Sequence, residues 1–455
     1  MDLEAFERVY ESFCAFHAVF APLFGRRECR DRGRDYLQGL LVQAEERRNA
    51  ENMAEVLPVS ARVLQRFLTE SRWEDDPVIA RLQAYLAPRL THPLAVWAVD
   101  SSGFPKQGKK SVGVARQYCG ALGKIANCQV GVFLAHVGPR GRALVDKRLF
   151  LPQEWTDDPP RCDAAGVPKE KQLYRSETEL ALEMLQQAKA RGHLVAAWVT
   201  GDDAFGKSPS FRAGVAALGY GYVLEIPGDT PGWPVEGTWE TPPYRGRGPR
   251  PKPRPVVAER QAVRERAARL PQERWREITV AEGTQGPRTY RFAAEPVRET
   301  RDGEPGQVLW VVYRENLDES EPRFYFSNAP EETELSTLAR VASARWPIET
   351  EFETDKSDVG LDEYEVRRWA GWHHHSTMCL LASAFLLRMQ QEWGEKDAPH
   401  HASPDLSGGA RDVAAGAVHA GGPPPLAGGD PTPQRARAPV THQTPRLSAH
   451  HVQKS

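Results

Sequence analysis

The sequence predicts a mixed α/β protein, with a strand-rich sheet preceded by a helical segment and interrupted by a β-rich insertion. Three observations predict it. Apolar residues recur at helical spacing up to about Pro93. Beyond Leu94 the texture changes to short apolar runs bounded by Gly, Pro and Asp: LAVWAVD, NCQVGVFLAHV, ALVDKRLFL and LVAAWVTGDD. Helices with clear start and stop signals separate the later runs.

Taken in order, YLQGLLVQAEERRNAENMAEVL and SARVLQRFLTESRW are amphipathic helices, with Ser60 placed as an N-cap. Arg47, Arg48, Arg62, Arg66 and Arg72 decorate them. Residues 1–93 are read as a helical DNA-binding domain, against the plainer alternative of a solvated helix face. LAVWAVD is a strand ending in Asp100, followed by a Gly/Lys-rich turn, SSGFPKQGKKS. Two strands joined by the hairpin signal GPRGR come next. SETELALEMLQQAKARG is a helix with a capping-box start at Ser176 and a glycine stop at Gly192. LVAAWVTGDD is a buried strand ending in Asp202 and Asp203, SPSFRAGVAALG a helix, and YGYVLEIP a strand. Three strands, helix, strand, helix, strand is the order of a ribonuclease-H-like sheet, predicted over 94–227.

Residues 228–330 interrupt that unit. RGRGPRPKPRP interleaves Arg245, Arg247, Arg250, Lys252 and Arg254 with prolines, so it is solvated or docked on an anion. REITVAEG, TYRFAAEPV, VLWVVYRE and RFYFSN then read as strands. Residues 331–396 return to helix as a second part of the catalytic unit, and TMCLLASAFLLRMQQEW must be buried. The Gly/Pro/Ala/His-rich stretch 397–455 reads as a disordered tail.

At 455 residues, two or three folded units are expected. The 40% hydrophobic and 26% charged composition is that of a soluble globular protein. No apolar stretch is long enough to span a bilayer, so no membrane partner is expected. The acidic N-terminus argues against a signal peptide. Six scattered cysteines without a C-x-x-C pair suggest neither a disulfide framework nor a zinc site, and point to a reducing cytoplasm. A net charge of -2 is compatible with polyanion binding only if the cations gather on one face.

The acids carry the chemistry. Asp100 and Asp202 end apolar strands, and Glu349 opens a helix far downstream. Each alone reads as a turn former or helix cap. Together they could cage two divalent ions about 3.5–4 Å apart, which phosphodiester chemistry uses to activate a nucleophile and steady the leaving oxygen. Carboxylates suit Mg²⁺, a hard cation. ARWPIETEFETDKSD holds Arg345, Glu349 and Lys356 as R-x3-E-x6-K, which on one helix sets the carboxylate between cations. A salt-bridged helix face is the equal alternative, given Glu351, Glu353 and Asp355.

Here the sequence resembles the DDE superfamily of insertion-sequence transposases, close to the bacterial family named after insertion sequence 701 and related to the insertion sequence 4 group. The resembling segments are VWAVDSSGFPKQGKKSVGVARQYCGALGKIANCQVGV, WVTGDDAFGKSPSFRAGVAALGYGYVLEIP and ARWPIETEFETDKSDVGLDEYEVRRWAGWHHHSTM, with weaker likeness near the N-terminus. The resemblance implies Mg²⁺ dependence with two ions per site (Mn²⁺ able to substitute), terminal inverted repeats and target DNA as substrates, and action as a homodimer. By position it makes Asp100, Asp202 and Glu349 catalytic metal ligands. It assigns Arg345 and Lys356 to DNA phosphates, and Lys106, Lys109 and Lys110, just after Asp100, are expected to join them. The family's tyrosine falls at Ala342, and Ser101 stands where relatives often carry a second acid.

His373, His374 and His375 point about 100° apart on a helix, so they are expected on its surface with one facing inward. Trp346 is expected in the core. The rival functions are an inactive relative that only binds DNA, and a glycan hydrolase, for which the flanking cations have no use.

Overall fold

The computed structural model describes residues 3–397 except 43–46, 242, 245, 247–253, 258, 284–285, 302 and 319–321. Five helices open the chain: α1 (Leu3–Phe20), α2 (Arg27–Val42), α3 (Ala50–Val56), α4 (Ala61–Thr69) and α5 (Asp75–Leu90). Asn49 caps α3 by accepting from the Asn52 amide. Ser60 takes the N-cap position of α4, but its hydroxyl caps nothing. Arg62, Arg66 and Arg72 are exposed, as expected, whereas Arg48 is buried and donates to the Leu40 carbonyl at 3.0 Å.

Then follow β1 (Val96–Pro105), β2 (Ala115–Cys119), β3 (Lys124–Gly138) and β4 (Gly141–Leu149). The expected turn after Asp100 starts later than the sequence suggests. β1 continues to Pro105 because every residue from Val96 pairs with β3, ending at Pro105 opposite Cys128. Next come α6 (Gln153–Thr156), α7 (Pro159–Ala165), α8 (Glu177–Arg191), β5 (Trp198–Gly201), α9 (Asp203–Gly206), α10 (Pro209–Ala217) and β6 (Gly221–Ile226). The Ser176 capping box is present, and Gly192 ends α8 in the left-handed conformation.

The middle of the chain supplies β7 (Pro231–Trp233), β8 (Thr238–Glu240), β9 (Arg254–Val257), β10 (Gln261–Ala262), α11 (Val263–Ala267), β11 (Arg276–Gly283), β12 (Gly286–Arg301), β13 (Glu304–Glu315) and β14 (Arg323–Ser327). Of the proline-rich loop's cations, Arg245, Arg247, Arg250 and Lys252 lie outside the described residues, as does all of the expected tail but Asp397. The four long strands join the first sheet, because β14 pairs antiparallel with β6, from Phe324 opposite Ile226 to Ser327 opposite Val223. One mixed sheet results, in the order β10-β7-β12-β13-β14-β6-β5-β1-β3-β2, with β11 on β12 and β4 on β3. Within it β1, β5 and β6 run parallel, and the helical N-terminal region precedes it in the chain.

Helices α12 (Leu335–Ser343), α13 (Trp346–Val359) and α14 (Trp369–Asp397) close the described chain. From Gly371 to Leu386 every residue of α14 is buried. It packs on α2, α4, α5, α13 and β4, so that helix and sheet share one apolar core. Each fully buried Leu or Phe there contributes roughly 1.5–3 kcal/mol.

The histidine run corrects the surface expectation: all three rings are buried. Their differing directions give each its own wall. His373 Nδ1 meets Asp75 at 2.9 Å, His374 stacks on Trp73 with ring centres 3.8 Å apart, and His375 Nδ1 accepts from the Tyr36 hydroxyl at 2.8 Å. A helix enclosed on every side has no surface to give them. Among the described residues no helix is long and apolar enough to cross a membrane.

Candidate active site

Strand register gathers the acids. Val99 of β1 lies opposite Gly201 of β5, and Gly201 opposite Leu224 of β6. The next residue on each, Asp100, Asp202 and Glu225, therefore sits level where the parallel pairing of the three strands stops, although β1 itself runs on to Pro105 against β3. Open α/β sheets place their sites at such ends, because the loops leave there and the helices start there.

Asp202 is both a cap and a site residue. One of its oxygens accepts from the Ala204 amide at 3.0 Å and the Phe205 amide at 3.4 Å, starting the short helix α9. Gly206 ends that helix against β6, where an added Cβ would stand 1.8 Å from the Glu225 carbonyl oxygen. Only glycine permits that approach. This fixes the DDAFG turn beside Glu225.

Arg345, just ahead of α13, reaches into the acids. Its Nη2 is 2.8 Å from Glu349, its Nε is 3.2 Å from Glu225, and its Nη1 is 3.9 Å from Asp100. Arg323 of β14 holds the other Glu225 oxygen at 2.7 Å. The structure thus brings Asp100, Asp202, Arg345 and Glu349 together, and it adds Glu225. The sequence signal for Glu225 was a lone carboxylate in the apolar run YVLEI, a residue type that is rarely buried without a partner.

Burial of like charges shows in the acidities. Asp100 is 8% exposed, and burial pushes its carboxyl up to about 8, with neighbouring Asp202 adding to the rise and Arg345 opposing it. Burial likewise raises Asp202 to about 6 against the pull of Arg345. Burial alone would lower Arg345, but Glu225, Glu349, Asp100 and Asp202 hold it above its ordinary value. Too little positive charge serves too many buried carboxylates.

Among the described residues, no three His, Cys, Asp or Glu side chains stand close enough to hold a metal ion. Glu349, Glu225 and, more distantly, Asp100 are turned onto the Arg345 guanidinium, while Asp202 caps α9. Their chemistry still suits a hard divalent cation: the donors are all carboxylate oxygens, and burial makes two of them protonate more readily than usual, with neighbouring acids adding to the rise.

The expected phosphate-binding cations divide into three kinds. Lys109 and Lys110 are exposed in the turn after β1. Lys106 is half-buried: its Nζ donates to the Tyr364 carbonyl at 3.1 Å and lies 3.4 Å from the centre of that ring. Burial lowers its pKa to about 8. Lys356 is half-buried over Phe104, with Asp100 and Cys119 among the groups acting on it. Arg345 faces the carboxylates, not solvent. Trp346 corrects the core expectation, because it is 45% exposed with the Arg288 guanidinium 3.5 Å over its ring. Ser101 donates its hydroxyl to Glu177 at the start of α8, so an acid borne by another element stands beside that position.

Fold and site define a mixed α/β protein with an acidic cluster where the pairing of its parallel strands stops. A family model described as DDE superfamily endonuclease matches residues 19–287, more than half of the sequence. The chain belongs to that superfamily of endonucleases. No curated protein matches the sequence. Among solved structures, a piggyBac transposase synaptic complex with hairpin DNA is similar at 8% identity, over 91% of this chain and 80% of that one, with a TM-score of 0.39. A likeness of that degree carries no inference.

Proposed function

We propose that this protein is a DNA transposase of the insertion-sequence kind, near the family named after insertion sequence 701. It would cut DNA at terminal inverted repeats and join the freed 3′ end to target DNA, acting as a homodimer in a bacterial cytoplasm. The observation that carries the reading is the level placement of Asp100 and Asp202, facing Glu349, in a chain of the DDE endonuclease superfamily. A ribonuclease-H-like ancestry of the sheet agrees with its strand order.

Asp100, Asp202 and Glu349 are the residues that would hold two Mg²⁺, or Mn²⁺ in their place. Bound there, the ions would supply nucleophile activation and charge neutralisation at the phosphate. The protein's own groups do the rest. Asp100 must give up its proton before it can act as a ligand. Arg345 must release Asp100 and Glu349, and Glu225 offers the guanidinium a carboxylate to remain on. Lys356, Lys109, Lys110 and Lys106 would hold phosphates of the bound DNA, a reading that the exposure of Lys109 and Lys110 and the nearness of Asp100 to Lys356 support. The exposed arginines of α4 would extend the contact along the duplex.

The test is cleavage and strand transfer in vitro on DNA carrying the element's ends, with Mg²⁺. Asp100→Ala and Glu349→Ala should each abolish both reactions while leaving DNA binding. Cleavage by either variant at the parent's rate would refute the assignment.

A further inference from the structure

The β2–β3 hairpin presents an apolar face that nothing among the described residues covers. Tyr118 is 65% exposed, Ile125 60% and Leu122 47%, and every residue from Gly120 to Ile125 is open to solvent. Tyr118 and Ile125 are direct cross-strand partners, so they share a face, and Leu122 stands at the turn between them. Large apolar side chains grouped at a projecting tip mark a contact surface.

Charge says what kind. Between Asp100 and Asp146 the sequence holds no Asp or Glu at all, in a protein whose net charge is -2. Arg116 and Lys124 flank the apolar face, both exposed, and neither pairs with a carboxylate among the described residues. Lys109 and Lys110 stand exposed in the turn leading to the hairpin. A face that is apolar at its centre and cationic around it, on a segment that carries no acid of its own, fits a polyanion with flat apolar surfaces, which describes DNA bases between phosphates.

The hairpin is also rooted at the site. A Cβ on Gly103, three residues beyond Asp100, would stand 2.9 Å from the Cys119 sulfur at the end of β2. Lys356 feels both Cys119 and Asp100. What the tip touches is therefore held close to the acids.

We propose that the hairpin tip is a DNA wedge: Tyr118, Leu122 and Ile125 lie against bases at a duplex end opened beside the acidic cluster, and Arg116 and Lys124 grip the flanking phosphates. The inference rests on the transposase reading and names an element of this chain that would keep the end open. Binding of a fluorescein-labelled mixed-sequence duplex, and of the same duplex frayed at one end, tests it on the full chain.

The parent binds the frayed end more tightly than the blunt one. The triple variant Tyr118→Ala, Leu122→Ala, Ile125→Ala loses that preference by about fivefold or more, since a single base stacked on an aromatic ring accounts for that much. Its Tm stays that of the parent, because the three side chains are exposed. Arg116→Ala with Lys124→Ala, a second variant, instead flattens the dependence of log affinity on log salt by up to about 1.8. A triple variant with the parent's affinity for both DNAs overturns the wedge and leaves the transposase reading standing. So does one that binds DNA normally but no longer self-associates in sedimentation, because a second copy would then be what covers the tip. A parent that binds neither DNA overturns both.

Discussion

The Arg345 guanidinium lies 2.8 Å from the Glu349 carboxylate, one helical turn further along the chain, and so occupies the centre of the acidic cluster. It is a cation supplied by the chain where the proposed chemistry calls for divalent ions. Removing it leaves Glu225 with Arg323 alone, the half-exposed Glu349 without its partner, and the buried Asp100 and Asp202 without the guanidinium that favours their charged forms; breaking a buried pair typically costs about 3 kcal/mol. Arg345→Ala should therefore lower urea-unfolding stability in EDTA by about 3 kcal/mol. Arg345→Lys should recover only part, since one ammonium cannot span Glu225, Glu349 and Asp100 together. An Arg345→Ala protein as stable as the parent in EDTA would mean that the guanidinium neutralises nothing.

Asp100 makes stability pH-dependent in a definite direction. Its folded pKa of about 8 lies above the unfolded value near 3.9, so the folded state holds this proton more tightly. Its contribution is fully present below about pH 4 and is lost as pH rises toward 8. Asp100→Asn keeps the shape and cannot ionise, so its Tm in EDTA should match the parent's near pH 4 and exceed it increasingly up to about pH 8. Thermal melts at several pH values check this. The same proton must leave when a cation binds, so Mn²⁺ affinity should rise with pH through the range that deprotonates Asp100.

Much of this site was legible in the sequence, for a reason that also explains what was not. Asp100 and Asp202 stand out because an apolar strand that ends in an acid breaks its own pattern. Glu349 stands out through its spacing from Arg345 and Lys356. Glu225 belongs to the same row, but its strand continues past it and its partners, Arg323 and Arg345, come from about a hundred residues away, a pairing that no local pattern encodes. The histidine run and Trp346 misled for the same reason: helical spacing fixes relative direction on α13 and α14, but not which directions the rest of the fold encloses. The β-rich insertion was readable strand by strand, whereas its union with the first sheet through β14 and β6 depends on long-range pairing.

Gly206 couples the second aspartate to the strand that carries Glu225. A methyl group there would need the 1.8 Å space beside the Glu225 carbonyl, and both neighbours are backbone, so neither can swing aside. Gly206→Ala should destabilise the protein by about 3 kcal/mol in chemical denaturation, the upper range for forcing an atom into a packed site. It should also weaken Mn²⁺ binding, because α9 and its cap Asp202 must shift. A variant with parental stability and parental Mn²⁺ affinity would show that the turn can relax without cost.

The last prediction concerns the joint between α2 and the buried helix α14. Burial lowers His375 to about 3, so its ring is neutral at any ordinary pH. A neutral ring has one N–H, and the partners decide where it sits: Nδ1 accepts from the Tyr36 hydroxyl at 2.8 Å, and Nε2 donates to the Gly360 carbonyl at 3.1 Å. Tyr36→Phe removes the donor and leaves a buried ring nitrogen unsatisfied, at a cost of about 1–3 kcal/mol. Because the ring does not titrate above about 3, that loss should be the same at pH 5 and pH 8. Denaturation of parent and variant at the two pH values measures it. A loss confined to the lower pH would mean that His375 is charged in the folded protein and that its Nδ1 carries a proton.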